Sequence, residues 1–305
     1  MPARLSVFVA TGPVTVHRLQ DGGDYVLGRG AGCDVRVIDD RVSRRHARLT
    51  HGVDGWRIVD MGSKNGLTVD DLRVTDSDLA SVARLGLGGV PLRFEPLGEA
   101  AMRADAEADL VRRRDAARLQ RQLDPAAGLR ALLDRLLDSV MKVAGAERGF
   151  LLLTHPDGDL RLARIAGLAE EDLEREEFGG SLSAARRAIA ERRPVVCCDA
   201  SDDSRLRSRS SIEGAGIRAL ACLPLVVLDR VIGVVYADSR EPGRALTELD
   251  VEILSGLATH AALALAVAGL RDEVEGLEGA LGRCESTAER PWRRLAATHR
   301  PLETP

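Results

Sequence analysis

The chain has 305 residues, more than one typical domain needs, and this length predicts two domains with connecting helices. Its 43 basic and 47 acidic residues are interspersed and give a net charge of −4, which argues against a general nucleic-acid binder. Apolar residues make up 45% of the chain and aromatic residues only 3%, so we expect cores built from Leu, Val, Ala and Ile.

The cysteines and the apolar segments predict a cytoplasmic protein. None of the five cysteines forms a Cys-x-x-Cys pair and their number is odd, which disfavours a zinc site or a disulfide scaffold. We therefore expect free thiols in a reducing compartment. The first ten residues lack the pattern of a secretory signal. No stretch of about twenty apolar residues is found, so the sequence predicts no membrane span.

Three polar signatures lie between short apolar strands in the first hundred residues. They are Gly28-Arg29, Ser43-Arg44-Arg45-His46 and Ser63-Lys64-Asn65-Gly66. The alternation in Val35-Arg36-Val37 and in Trp56-Arg57-Ile58-Val59 is typical of strands, which places the signatures in turns. Arginine and serine donors suit an oxyanion, and an asparagine amide can hold a peptide backbone. The alternative is that the arginines of this region form a solvated basic face: Arg41, Arg44, Arg45 and Arg48.

The three signatures, in this order and spacing, resemble those of the forkhead-associated (FHA) domain, and the similarity covers residues 1–98. The resemblance implies an all-β sandwich that binds phosphothreonine peptides. It implies a phosphopeptide-binding set of Arg29, Ser43, Arg44, Lys64 and Asn65, with structural support from Gly28, His46 and Gly66. In that family the arginine and serine contact the phosphate, and the asparagine holds the peptide main chain. Asp70-Asp71 departs from the Asn-Gly that the family often has there.

Residues 99–124 predict a helical linker, because they are rich in Ala, Arg, Glu and Leu and lack Gly and Pro until Pro125 is reached. Asp124 is a typical cap and Pro125 suits a first helical turn. A second helix with a leucine stripe follows and opens a new domain.

Residues 125–270 alternate strands and helices, and a long helix begins near Thr247 with Asp250 three residues later. The pieces Glu147-Arg148-Gly149-Phe150, Leu223-Pro224-Leu225 and Gly233-Val234-Val235-Tyr236-Ala237-Asp238 resemble a GAF domain. That resemblance implies an α+β fold with an antiparallel sheet, used for ligand sensing and dimerisation. The motif of the cyclic-nucleotide-binding subtype is absent. We predict no cofactor, and the GAF ligand stays unassigned.

The last helix carries a seven-residue apolar repeat. One series is Ile253, His260, Val267, Val274 and Leu281, and its partner series is Leu249, Gly256, Leu263, Leu270 and Leu277. Such a seam predicts a coiled-coil extension over 271–290 and a homodimer. Glycines weaken its end, and the tail 291–305 is predicted to be disordered.

No sequence signature of catalysis is present. We find no phosphate-loop motif, kinase signature, Gly-x-Ser-x-Gly or metal-ligand cluster. The sequence therefore predicts a non-enzymatic adaptor that binds a phosphothreonine-containing protein, either a Ser/Thr kinase or its substrate, and that dimerises. The alternative is a small-molecule sensor whose GAF pocket controls FHA engagement or transcriptional regulation.

Overall fold

The computed structural model describes residues 1–9, 12–155, 157, 159–169, 171–172, 179–198, 217–241 and 245–285. Within these residues the chain forms a β-sandwich, a connecting helix, and a second domain with a five-stranded antiparallel sheet. This is the multidomain fold class that the sequence predicts. The predicted tail 291–305 lies outside the described residues.

Two sheets form the N-terminal sandwich. Their strand orders are β2-β1-β11-β10-β7-β8 and β4-β3-β5-β6-β9. The strands are β1 Ala3–Val7, β2 Thr15–Leu19, β3 Asp24–Gly28, β4 Val35–Arg36, β5 Ala47–Gly52, β6 Gly55–Asp60, β7 Leu67–Val69, β8 Leu72–Val74, β9 Asp76–Leu79, β10 Ala83–Leu87 and β11 Val90–Pro96. Alternate residues point between the sheets, where Leu5, Leu27, Ile58 and Phe94 are fully buried. The three signatures fall in the connections at one end of this sandwich.

The linker helix α1 spans Glu99–Gln122, as the composition predicts. Asp124 then accepts a hydrogen bond from the Ala126 N–H at 2.9 Å and caps a short 3₁₀ turn, Pro125–Ala127. The next helix begins only after Gly128, whose φ of +84° suits glycine. Asp124 and Pro125 therefore open the 3₁₀ turn, and the helix that they were predicted to open begins one turn later.

The second domain packs helices on both faces of its sheet, whose order is β13-β12-β16-β15-β14. The strands are β12 Arg148–Thr154, β13 Leu160–Ala166, β14 Val195–Cys198, β15 Ala219–Val227 and β16 Arg230–Ser239. The helices are α2 Leu129–Ala144, α3 Gly179–Glu191 and α4 Glu248–Glu285. Helices α1, α2 and α4 cover one face, and α3 covers the other.

Helix α4 begins at Glu248, next to the start at Thr247 that the sequence predicts, and Thr247 and Asp250 form a reciprocal cap there. The Thr247 N–H donates to Asp250 Oδ2 at 2.8 Å, and the Asp250 N–H donates to Thr247 Oγ1 at 3.3 Å. The stretch Glu248–Arg271 has a hydropathy of 1.8 and is long and apolar enough to cross a membrane. The prediction that no such stretch exists is wrong. A core helix that packs on both a sheet and other helices is apolar on most faces, and half of this window is buried in the domain.

Helix α1 joins the two domains through charged side chains. Arg4 and Arg18 of the sandwich donate to Asp105 of α1 at 2.8 and 2.7 Å. About two helical turns further along α1, Arg112 pairs with Asp250 at the start of α4. Direct backbone bonds add to this contact, because the Val14 N–H donates to the Leu246 carbonyl at 2.8 Å. The sandwich is thus attached to the first turn of α4.

We expect Arg112→Ala to lower the free energy of unfolding by about 3 kcal/mol, because it strips a buried carboxylate of its counter-ion. The Asp250 side chain is 1% exposed and that of Arg112 is 24% exposed. The matched control is Arg113→Ala, whose pair with Glu252 is half exposed and should contribute little to stability because water screens it. Urea unfolding of both variants measures the difference, and equal losses would contradict the role assigned to the buried pair.

A second expectation concerns His17 on β2. Burial lowers its pKa, against an opposing influence of Glu248, and its Nε2 atom is buried without a hydrogen-bond partner in the described structure. The unfolded chain therefore takes up a proton at a higher pH than the native chain does. The stabilisation from neutral His17 is complete above about pH 6.5 and declines as pH falls below that value.

Between pH 7.5 and pH 5.5, we expect the free energy of unfolding to fall less for His17→Leu than for the wild type. Urea unfolding at both pH values measures this fall. The matched control is His155→Gln, which replaces a half-exposed histidine of the second domain. A His17→Leu curve that runs parallel to the wild type over this range would contradict the assignment.

Candidate functional site

The Gly28–Gly30 turn lies directly against the Ser43-Arg44 loop. The Arg29 N–H donates to the Ser43 carbonyl and the Gly30 N–H donates to the Arg44 carbonyl, each at 3.0 Å. A Cβ atom at position 28 would lie 2.5 Å from the Arg44 carbonyl oxygen, so only glycine allows this approach. The exposed Arg29 side chain is therefore placed beside Ser43.

Ser43 links this pair of loops to the third signature. Its Oγ accepts a hydrogen bond from the Lys64 N–H at 3.0 Å. Because that bond uses a lone pair, the hydroxyl hydrogen stays available to donate to another acceptor. The geometry places a directed O–H donor between Arg29 and Lys64.

Asn65 is held by Arg41, a residue outside the three sequence signatures. Its Nδ2 donates to the Arg41 carbonyl at 2.7 Å, which leaves Oδ1 and the second amide hydrogen for a ligand. Arg41 is itself anchored to Asp39, with bonds of 2.8 and 2.9 Å, and these bonds lower the pKa of Asp39. The spacing Asp39-x-Arg41 could have indicated the ion pair from the sequence. The bond between Arg41 and Asn65 joins residues 24 positions apart, so no local pattern predicts it.

His46 is fully buried and joins two of the loops. Its Nδ1 lies 3.1 Å from the Ser43 nitrogen, and its Nε2 lies 3.0 Å from the Gly66 carbonyl oxygen. Since an amide N–H can only donate and a carbonyl can only accept, this geometry requires the neutral tautomer with hydrogen on Nε2. The imidazole therefore sets the distance between the Ser43 loop and the Asn65-Gly66 loop.

Ser63 serves the fold of its own loop. Its N–H and Oγ donate to the Asp60 carboxylate at 2.8 and 3.1 Å, and its Oγ accepts from the Gly66 N–H at 2.9 Å. Gly66 has a φ of +84°, which glycine tolerates at little cost. These contacts turn the chain sharply after Asp60 and present Lys64 and Asn65 at the tip.

The assembled end of the sandwich is cationic. Arg29, Arg44 and Lys64 are exposed, and no carboxylate of the described residues pairs with them. With the Ser43 hydroxyl and the Asn65 amide, they offer donors of the kind that a phosphate group on a peptide requires. All five residues that the resemblance implies for binding are thus brought to one end, together with supporting Gly28, His46 and Gly66.

The Asp70-Asp71 turn lies between β7 and β8, at the end of β7 that is opposite to Gly66. Both residues have left-handed φ angles, +46° and +68°. Such angles favour the Asn-Gly that the family often has, and Asp is among the few other residues that tolerate them. Asp70 closes the turn by accepting a bond from the Arg84 N–H at 2.9 Å.

The α3 face of the second domain is lined by apolar side chains. Phe150 and Tyr236 stack there with their ring centroids 4.7 Å apart. Burial raises the pKa of the nearby Cys222 to about 12, so this thiol stays protonated. Cys33, Cys197 and Cys222 are free cysteines. In the described part of the chain, no group of three or more His, Cys, Asp or Glu side chains is arranged to hold a metal ion.

Comparison with known families identifies both domains. A family model described as the FHA domain matches residues 25–88, and one described as the GAF domain matches residues 126–266. Among curated proteins, the chain is 33% identical over 89 residues to the FHA domain-containing protein FhaB of Mycolicibacterium smegmatis, which is 28% of this chain and 57% of that protein. It is 38% identical over 77 residues to the ABC transporter ATP-binding/permease protein Rv1747 of Mycobacterium tuberculosis. That match covers 24% of this chain and 9% of that protein. The chain thus spans only part of each relative.

Solved structures of both kinds are similar to parts of the chain. The FHA-1 domain of Mycobacterium tuberculosis Rv1747 is 32% identical with a TM-score of 0.28, covering 31% of this chain and 97% of that one. The FhaA FHA domain complexed with the intracellular domain of Rv3910 is 27% identical with a TM-score of 0.28, and the match covers 30% of this chain and 99% of that one. A GAF domain/HD domain protein from Geobacter sulfurreducens is 19% identical with a TM-score of 0.35, and the match covers 50% of this chain and 98% of that one.

FHA domains are phosphothreonine-binding signalling modules, and GAF domains are regulatory or binding modules rather than catalytic ones. The order of the two matches along the chain is the order that the sequence signatures predict. The chain therefore belongs to the proteins in which an FHA domain is followed by a GAF domain.

Proposed function

We propose that the protein is a non-enzymatic signalling adaptor that binds phosphothreonine through Arg29, Ser43, Arg44, Lys64 and Asn65. The observation that supports this most is that Ser43 bonds both other signatures: its carbonyl accepts from the Arg29 N–H and its Oγ accepts from the Lys64 N–H, which leaves its hydroxyl hydrogen free. Arg29 and Arg44 neutralise the phosphate, Ser43 donates to a phosphate oxygen, and the Asn65 amide holds the peptide main chain.

The proposed partner is a phosphothreonine-containing protein, either a Ser/Thr kinase or a substrate of one. This partner class follows from the FHA domain and from the cationic end of the sandwich. The proposed compartment is the cytoplasm, where the free thiols of Cys33 and Cys222 persist.

We also propose a homodimer formed through α4. Leu263, Val267 and Leu270 are 53%, 52% and 63% exposed, and their spacing of four and three residues puts them on one face of the helix. Their neighbours Ala264, Leu265 and Ala268 are buried in the domain's own core. An apolar stripe left uncovered beside a packed face suits a second copy of the same helix.

A second candidate function is a sensor in which the GAF domain controls the FHA site. One observation favours it: the Val14 N–H bonds the Leu246 carbonyl, and the Val14 carbonyl accepts from the Glu248 N–H at 3.1 Å. Movement of the α4 start on ligand binding would therefore reach the sandwich directly. Native mass spectrometry of freshly purified protein tests this candidate, which requires a retained small molecule.

We expect Arg29→Ala to weaken binding of a phosphothreonine peptide by roughly 1.5–3 kcal/mol, the scale of a charge-assisted hydrogen bond. Isothermal titration of the full chain measures the loss. The matched control is Arg48→Ala, which removes an exposed arginine of the same sheet that pairs with Asp24.

The same titration should show much weaker binding of the phosphoserine and unphosphorylated versions of the peptide. Equal affinity of wild type and Arg29→Ala would contradict the site. So would an equal loss in Arg48→Ala, because the effect would then reflect general charge.

We expect full-length protein to sediment as a dimer at micromolar concentration, and Leu263→Asp with Leu270→Asp to sediment as a monomer. Four carboxylates facing across an apolar seam would each lose hydration without gaining a partner. The matched control is Val53→Asp, at a fully exposed position in the β5–β6 turn. A monomeric wild type, or a double variant that stays dimeric, would contradict the proposed interface.

A further inference from the structure

The arginine Arg73 lies next to the proposed phosphopeptide site, but none of the three sequence signatures includes it. It sits on β8 and pairs with Thr68 of β7. The neighbours of these two residues along their strands, Leu67 and Val74, pack into the core of the sandwich. Because side chains alternate along a strand, Arg73 and Thr68 face away from the core. The Arg73 side chain is exposed.

The guanidinium group of Arg73 lies flat over Gly66. A Cβ atom at position 66 would be 2.7 Å from Nη2 and 2.8 Å from both Cζ and Nε. Near-equal distances to three atoms of one plane indicate that the plane faces the glycine. Gly66 directly follows Asn65, so this arginine is fixed beside the residue that is proposed to hold the peptide main chain.

The counter-ions around this end of the domain distinguish Arg73 from its neighbours. Arg41 pairs with Asp39 at 2.8 Å, and Arg84 lies 3.7 Å from Asp71. Among the residues that the structure describes, no carboxylate pairs with Arg73. A guanidinium that lies over Gly66 without a carboxylate partner among the described residues matches the planar geometry of a carboxylate or phosphate.

We propose that Arg73 is a specificity-determining residue that pairs with an anionic side chain of the peptide, flanking the phosphothreonine. The anionic side chain is an aspartate, a glutamate or a second phosphorylated residue, all of which share the chemistry that a guanidinium fork recognises. The proposal rests on the proposed function of the site, because the peptide must first be held by Arg29, Ser43 and Asn65.

The test titrates the full-length chain with three kinds of peptide that carry one phosphothreonine. The first has neutral flanks, the second has a single Asp placed in turn at each of the three positions on either side, and the third has phosphoserine at those positions. The proteins are wild type, Arg73→Gln and the control Arg84→Gln, which removes an arginine of the same sheet that already has an acidic neighbour. Thermal unfolding of each variant shows that it is folded.

We expect an anionic residue at one position to tighten binding to wild type roughly two- to fivefold, the scale of an exposed ion pair. Arg73→Gln should lose this gain and bind the neutral peptide as wild type does, and Arg84→Gln should keep the gain. A gain from Asp indicates an acidic flank, and a gain from phosphoserine alone indicates a doubly phosphorylated partner. Both support the proposal.

Two results would overturn the proposal while leaving the site intact. One is that no anionic position tightens binding to wild type. The other is that Arg73→Gln weakens the neutral and the anionic peptides equally, because Arg73 would then contact the phosphothreonine itself or serve the loop structure. Failure of the neutral peptide to bind wild type at all would instead refute the proposed function.

Discussion

The geometry of the FHA end of this protein depends on one buried imidazole. His46 accepts a bond from the Ser43 N–H and donates one to the Gly66 carbonyl, so it fixes two loops that are 20 residues apart in sequence. A third bond, from the Lys64 N–H to Ser43 Oγ, joins the same two loops directly. Buried polar groups without partners cost free energy, so neither loop can move away without exposing or orphaning these atoms. The hydrogen-bond donors of these two loops are therefore preorganised.

Local sequence patterns predicted much of the architecture. Strands such as Ala3–Val7 and Val90–Pro96 alternate buried and less buried residues, because burial on one face of a sheet imposes a period of two. The reciprocal cap of Thr247 and Asp250 was equally readable, since both residues lie within one turn. The Asp124 cap was placed on the wrong element because capping chemistry is shared by 3₁₀ and α-helical turns.

Contacts between distant strands could not be predicted from the sequence. Arg41 reaches Asn65 and Arg73 covers Gly66 only because of how the connections cross the end of the sandwich. No local pattern encodes that register. The apolar length of α4 was also underestimated, since a helix packed on several sides needs few polar residues even in a folded domain.

The two domains are joined so that the FHA sandwich and α4 are both attached to α1. Asp105 of α1 bonds the sandwich, Arg112 of α1 bonds Asp250, and Val14 bonds the backbone at the start of α4. These contacts favour both candidate functions, because they link the sandwich that carries the peptide site to the helix that carries the exposed stripe. In a dimer, two tethered sites would bind a doubly phosphorylated partner more tightly than one site does.

The most direct measurement is a crystal structure of the full chain bound to a phosphothreonine peptide. We expect phosphate oxygens within about 2.7–3.2 Å of the Arg29 guanidinium and of Ser43 Oγ, with the peptide main chain bonded to the Asn65 amide. A phosphate bound elsewhere on the chain, or a peptide seated at this end with its phosphate turned to solvent, would contradict the central claim.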